Sequence, residues 1–164
     1  MPHRADPLRP DSLRLTEDDL SNPALRSLLD DHLREMRANS PEGSMHALDP
    51  AAPRDPAVTF WSAWEDRDLV GCGALEQLDA AHGEIKSMRT ASGHTRRGVA
   101  TAVLTHLVTV ARVRGYRRLS LETGAAEHYR PAVRLYERHG FTICAPFGDY
   151  AEDPHSIFMA LPLT

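Results

Sequence analysis

Residues Gly93-His94-Thr95-Arg96-Arg97-Gly98-Val99-Ala100-Thr101 stand between a strand pattern and a long amphipathic helix pattern. A basic, glycine-containing turn that opens a helix presents free backbone N–H groups at the positive end of the helix dipole. That chemistry holds phosphate or pyrophosphate. Two nucleotide readings fail on particular residues. Gly93 and Gly98 have Walker spacing, but Val99 follows Gly98, so the lysine and the magnesium-binding hydroxyl are missing. A dinucleotide site needs Gly-x-Gly-x-x-Gly early in a repeated βαβ array, and the chain has neither. The other residues able to do chemistry are carboxylates and phenols. Glu84 and Glu122 fall on strand candidates, Tyr136 on a helix, and Asp149, Tyr150, Glu152 and Asp153 in a loop.

The elements that must position these groups are legible from periodicity. Leu13-Arg14-Leu15 is a short strand candidate, and Pro23 to about Arg37 carries Leu25, Leu28, Leu29, Leu33 and Met36 at helical spacing. The stretch 41–56 holds four prolines and Gly43, too broken for a regular element. It is open to two readings: a solvated connection, or a loop over a site that offers Ser44, His46 and Asp49. Val58–Trp64 and Leu69–Leu75, joined by the turn 65–68, form a hairpin. Along Glu84–Thr90, strict alternation puts Ile85, Ser87 and Arg89 on one face and Glu84, Lys86, Met88 and Thr90 on the other. Gly98–Arg114 carries two apolar rows, Val99-Val103-Leu107-Val110 and Ala100-Leu104-Val108-Ala111, a wide stripe suited to packing on a sheet. Gly115 stops it. Leu119–Thr123 is the next strand, so strand, helix and strand imply a right-handed parallel crossover. Pro131 opens a second helix through Arg138, and strands at 141–144 and 156–161 follow.

Composition sets the limits. A chain of 164 residues, 41% hydrophobic and 26% charged, fits one globular domain spanning 1–164, with 1–11 a loose start. The formal charge of −4 implies no pervasive basic face and argues against nucleic acid as a partner. No apolar run is long enough for a bilayer, and Met1–Pro10 lacks the apolar core of a secretory signal. Cys72 and Cys144 have no Cys-x-x-Cys spacing and read as reduced thiols of a cytoplasmic protein. The nine histidines show no ligand spacing, so no metal is expected.

With these motifs in place, the chain resembles the GNAT superfamily of acyl-CoA-dependent N-acyltransferases, from about Leu69 to Leu161 and with a fitting strand and helix before it. The signature Arg/Gln-x-x-Gly-x-Gly/Ala is met by Gly98 and Ala100 in Thr95–Ala100, with Thr95 departing at its first position. A second signature, Ala-x-x-x-Tyr-x-x-x-Gly-Phe, runs from Ala132 through Tyr136 to Gly140-Phe141, with Tyr129 where asparagine is frequent. The segments Glu84–Thr90, Leu121–Gly124 and Asp149–Pro154 are similar to the YsnE-like branch. The fold implied is an α/β (α+β) domain with a mixed, mostly antiparallel sheet of six to seven strands, flanking helices and a β-α-β acyl-CoA crossover.

The resemblance also implies roles. The pyrophosphate of acetyl-CoA would rest on the backbone of Arg96, Arg97, Gly98, Val99, Ala100 and Thr101, and its pantetheine arm beside Met88 and Thr90. A lysine-like amine with pKa ~10.4 is free at pH 7 in only about one molecule in 2,500, a deficit of roughly 4.6 kcal/mol, so a base must take its proton. Glu84 aligns with the glutamate base of some protein-acetylating members, and Glu122 is a second candidate. Tyr136 matches the family's general acid, protonated at pH 7 and able to donate to the leaving thiolate. The acceptor expected is a small-molecule amine near His46, Glu122 and Tyr150, without metal, membrane or nucleic acid. Arg89 and Arg130 equally suit an anionic acceptor. Acetylation of protein lysines or N-termini and non-catalytic CoA binding are the other readings, and a homodimer is compatible with each.

Overall fold

The computed structural model describes residues 13–163 apart from 42, 45 and 53, so the loose start expected at 1–11 lies outside the described residues. Seven strands form one sheet: β1 (Leu13–Asp18), β2 (Val58–Glu65), β3 (Asp68–Asp79), β4 (His82–Thr90), β5 (Arg118–Gly124), β6 (Thr142–Ile143) and β7 (Ser156–Pro162). Their order is β1-β2-β3-β4-β5-β7-β6. Strands β4 and β5 pair in parallel and the other neighbours antiparallel. The helices are α1 (Pro23–Asn39), α2 (Val99–Val113) and α3 (Arg130–Arg138). The mixed, mostly antiparallel sheet and its β4-α2-β5 crossover are the architecture expected.

Each face of the sheet is covered by the stripe that periodicity assigns to it. Asn22 caps α1 by accepting from the Ala24 N–H at 2.9 Å, and Pro23 supplies a first residue that needs no hydrogen-bond acceptor. Leu25, Leu28 and Leu29 then pack on Val58, Phe60, Cys72 and Ala74. On the opposite face α2 buries Val99, Val103, Leu104 and Leu107 against Val70, Leu75, Ile85 and Leu121. Each such side chain contributes roughly 1.5–3 kcal/mol by leaving water. Helix α2 lies close because β3 carries glycine at 71 and 73 beneath it. A Cβ at Gly71 would stand 2.7 Å from Val99 Cγ1, and one at Gly73 2.8 Å from Val103 Cγ1.

Two local expectations are corrected. The alternation along β4 breaks at Ser87. Cys72 pairs with Arg89 and Ala74 with Lys86, so Gly73 faces two residues, a bulge with Ser87 at φ +52°. The extra residue reverses the phase. Met88 packs with Ile85 in the α2-side core, while Arg89 turns to Glu35 on α1. Strand β6 covers only Thr142–Ile143, because Phe141 turns into the core edge-on to Tyr136, with ring centroids 5.8 Å apart.

The parallel pairing of β4 and β5 runs only from His82↔Arg118 to Ile85↔Leu121. Beyond it the strands part. Past the end of β5, a single 3-10 turn (Glu127–Tyr129) leads into α3. The Tyr129 ring lies on Gly124, where an added Cβ would fall 2.1 Å from it, and its hydroxyl meets Ser40 Oγ at 2.8 Å. We expect Gly124→Ala to displace that ring and cost about 1–3 kcal/mol, the scale of an overpacked contact. A melting temperature within a degree of wild type would contradict this packing.

Candidate active site

The turn before α2 is built to leave donors unused. Gly98 caps the helix at φ +90°, a conformation that glycine adopts freely, and offers no side-chain hydrogen bond. The first turn contains no acidic residue, and the first intrahelical bond recorded runs from the Ala102 N–H to the Gly98 carbonyl. The N–H groups of Val99, Ala100 and Thr101 therefore face out at the positive end of the helix dipole. Gly98 has nothing within 4 Å of where a Cβ would stand, so the backbone is open to close approach. Arg96, at φ +62°, turns along the same rim.

That turn forms one end of a groove of about 660 Å3. Its lining includes Met88 and Thr90 of β4, Arg96, the residues Gly98–Thr101, and Tyr136 and Arg138 of α3. The arginines complement a phosphorylated ligand. Arg97 is the expected cofactor residue that does not line the groove. Its guanidinium reaches Glu65 and His94, each at 3.1 Å.

A second, smaller cavity of about 120 Å3 occupies the gap where β4 and β5 part. Met88, Ala132 and Tyr136 line both spaces, so the phenol stands at their common wall. The Tyr136 hydroxyl has a thioether as its neighbour, Met88 Sδ at 3.9 Å, a weak acceptor. Burial, with Glu122 adding to it, pushes the phenol up to about 12. Tyr136 thus holds its proton at neutral pH.

Glu84 and Glu122 face this inner cavity from the two parted strands. Glu84 is only 3% exposed. Its Oε2 accepts from the Tyr150 hydroxyl at 2.5 Å and lies 3.8 Å from Lys86 Nζ, which is 3.3 Å from Glu76. Burial raises the Glu84 carboxyl above its ordinary value, and Lys86 and Tyr150 oppose that rise. Burial raises Glu122 further, to about 7, with the Glu84 charge in support. Burial and the adjacent Glu84 also push the Tyr150 phenol upward. His32 reaches the cavity from α1 and is pushed down to about 4 by burial and the Arg89 charge, so it is neutral.

Gly43, Ser44 and His46–Asp49 of the proline-rich connection lie over this site. Ser44 Oγ donates to Asp153 at 2.5 Å, and the His46 ring stands edge-on to Tyr150 with centroids 5.0 Å apart. Beneath the loop the inner cavity opens into an outer mouth of about 750 Å3, and the two share His46, Ala47, Glu84, Lys86 and Tyr150. His46, Glu122 and Tyr150 are thus brought together with Glu84. Arg89 and Arg130 are not. Arg89 pairs with Glu35, and Arg130 pairs with Glu127 at 3.0 Å on the surface. Neither faces the inner cavity or the mouth. Sequence reasoning missed Ser87, His32 and the Tyr129 ring. For Tyr129 its departure from the family pattern was the available signal.

A crossover that parts two parallel strands beside an open helix N-terminus defines the architecture of a CoA-dependent acyltransferase. The chain belongs to the acetyltransferase (GNAT) family, whose model matches residues 25–141. It is 53% identical over 146 residues to the N-acetyltransferase YsnE of Bacillus subtilis (strain 168), spanning 89% of this chain and 97% of that protein. It is 51% identical to the N-acetyltransferase YedL of Escherichia coli (strain K12), again over 146 residues, spanning 89% and 92%. An acyl-CoA N-acyltransferase structure from Klebsiella pneumoniae matches with a TM-score of 0.76 at 26% identity, covering 93% of this chain and 98% of that one. The protein is an N-acetyltransferase, and the YsnE-like branch fits.

The Glu122 environment carries a consequence for stability. In the unfolded chain its carboxyl ionises around 4.5, whereas the folded protein holds the proton to about 7. The associated stability is complete below the lower value and is lost as pH rises through the higher one, by up to about 3 kcal/mol. Glu122→Gln is therefore expected to flatten the fall in melting temperature between pH 5 and pH 8. An unchanged slope would show that Glu122 does not titrate in that window.

Proposed function

We propose that the protein moves an acetyl group from acetyl-CoA directly to the primary amine of a small molecule. The observation that carries this reading is the place of Tyr136 in the wall between the groove and the inner cavity, with Glu84 lining the cavity beyond it. The N–H groups of Val99, Ala100 and Thr101 would hold the pyrophosphate. Beyond Ile85, the edge of β4 has no β5 residue paired with it, so Met88 and Thr90 keep backbone groups for an extended arm. Acetyl-CoA supplies an activated thioester. Two free thiols and the lack of a membrane-crossing helix among the described residues accord with a reaction in the cytoplasm.

The proton movements follow from the two side chains. Glu84 takes the proton from the amine, directly or through water. Its contacts with Tyr150 and Lys86 both fall on Oε2, which leaves Oε1 as the acceptor. As the new C–N bond forms and the C–S bond breaks, Tyr136 gives its proton to the sulfur, whose parent thiol pKa of ~8.5 lies below that of the phenol. Transfer from a phenol near 12 is uphill to a free thiolate at equilibrium. The burial that raises the phenol also disfavours a bare thiolate in the same wall, which narrows that gap. The covering loop and its tie to Asp153 favour a compact acceptor over an extended peptide.

Removing the Tyr136 hydroxyl while keeping the ring tests the assignment. Tyr136→Phe is expected to lower kcat by about 10²-fold or more, the scale of a lost general acid, and to leave CoA affinity nearly unchanged. Thiol release in that variant close to wild type would overturn the role. Acetyl-CoA at about 100 times its Kd should stabilise the wild-type fold by about 2.7 kcal/mol, seen as a higher melting temperature. No shift at all would overturn the cofactor reading.

A further inference from the structure

The outer mouth is acidic well beyond what its own bases neutralise. Asp49, Glu76, Asp149, Glu152 and Asp153 line it, with Glu84 at its floor. Lys86 is the lysine among the lining residues and is already committed between Glu76 and Glu84. The Ser44 hydroxyl and the His155 N–H hold the Asp153 carboxyl below its ordinary value, so it stays charged. Acidic loops are commonly just solvated, and the mouth alone would decide nothing.

A second observation comes from the floor. Ser87, at the β4 bulge, is 8% exposed and lines the inner cavity, yet its buried Oγ has no hydrogen-bond partner among the described residues. A buried hydroxyl without a partner costs about 1–3 kcal/mol, and Ser87 also holds a left-handed φ that serine rarely adopts. Both costs fall at the point where β4 leaves β5 and where the acceptor must enter. A ligand N–H placed there would complete the hydroxyl's bonding.

Resting on the reading of the site as an amine acetyltransferase, we propose that the acceptor is a diamine-like molecule. Its reacting nitrogen donates to Ser87 Oγ beneath Glu84, and a second cationic group lies among the mouth carboxylates. The arrangement distinguishes the two ends. The inner cavity favours the amine after its ammonium proton has passed to Glu84, while the mouth, open to water, favours a retained positive charge. A carboxylate at the distal end would meet five acidic side chains and is rejected by like charge.

Cadaverine, pentylamine and aminovalerate share one chain and differ at the far end as dication, monocation and zwitterion. With saturating acetyl-CoA and thiol release as the readout, kcat/KM is expected to be at least about 10-fold higher for cadaverine than for pentylamine, and lowest for aminovalerate. The preference should shrink in high salt, where exposed charges are screened. In the double variant Asp149→Asn, Glu152→Gln the ratio of cadaverine to pentylamine should fall several-fold. Ser87→Gly, which keeps the left-handed backbone, should raise KM for both amines several-fold while acetyl-CoA still raises the melting temperature as in wild type. Equal turnover of the three compounds, or a preference for aminovalerate, would overturn the proposal and leave amine acetylation standing. Acetyl-CoA binding with no acceleration by any amine would overturn both.

Discussion

Everything chemical in this protein depends on one interrupted pairing. β4 and β5 run together for four residue pairs and then part, because the bulge at Ser87 bends β4 away while β5 continues to Gly124. Parting two neighbouring strands inside a sheet exposes backbone polar groups and opens a cleft at its centre, an arrangement that a fold keeps only where something else repays it. Here the cleft is open from two sides. The groove under the α2 N-terminus reaches it from one direction, the covered mouth from the other, and Tyr136 stands where they meet.

The surrounding structure holds that cleft open without filling it. Close packing of α2 on Gly71 and Gly73 fixes the helix N-terminus beside the β4 rim. Tyr129, seated on Gly124 and hydrogen-bonded to Ser40, joins the far end of β5 to the end of α1. Glu35 receives Arg89 and also meets His128 at 2.9 Å, so the Arg89 charge on the groove wall is balanced by protein. The carboxylates on the acceptor side have no comparable balance. One consequence is a set of raised proton affinities: a phenol that keeps its proton, Glu122 held to about 7, and Glu84 raised by burial with Lys86 and Tyr150 opposing the rise.

Much of this frame was legible in the residues. The α1 and α2 stripes, the β2–β3 hairpin and the strand-helix-strand crossover follow from periods of 3.6 and 2 with capping and glycine signals, and the structure has each of them. The bulge went unread, although its signal is present: Ile85 and Met88, the apolar residues of the segment, stand three apart and share a face only if one residue is extra, as the register with β3 shows. The contacts of Ser44 with Asp153 and of Tyr150 with Glu84 join residues 109 and 66 positions apart, so no local pattern reports them. Arg97 illustrates the opposite limit. The motif places it at the phosphate turn, but Glu65 on β2 draws its side chain aside.

If the acyl donor and the acceptor meet at Tyr136 in the gap between β4 and β5, a crystal structure of the protein with CoA will show it. The pyrophosphate is expected on the N–H groups of Val99, Ala100 and Thr101, the arm along Met88–Thr90, and the thiol within hydrogen-bond distance of Tyr136 Oη. CoA bound with its thiol remote from Tyr136, or away from the α2 N-terminus, would contradict it.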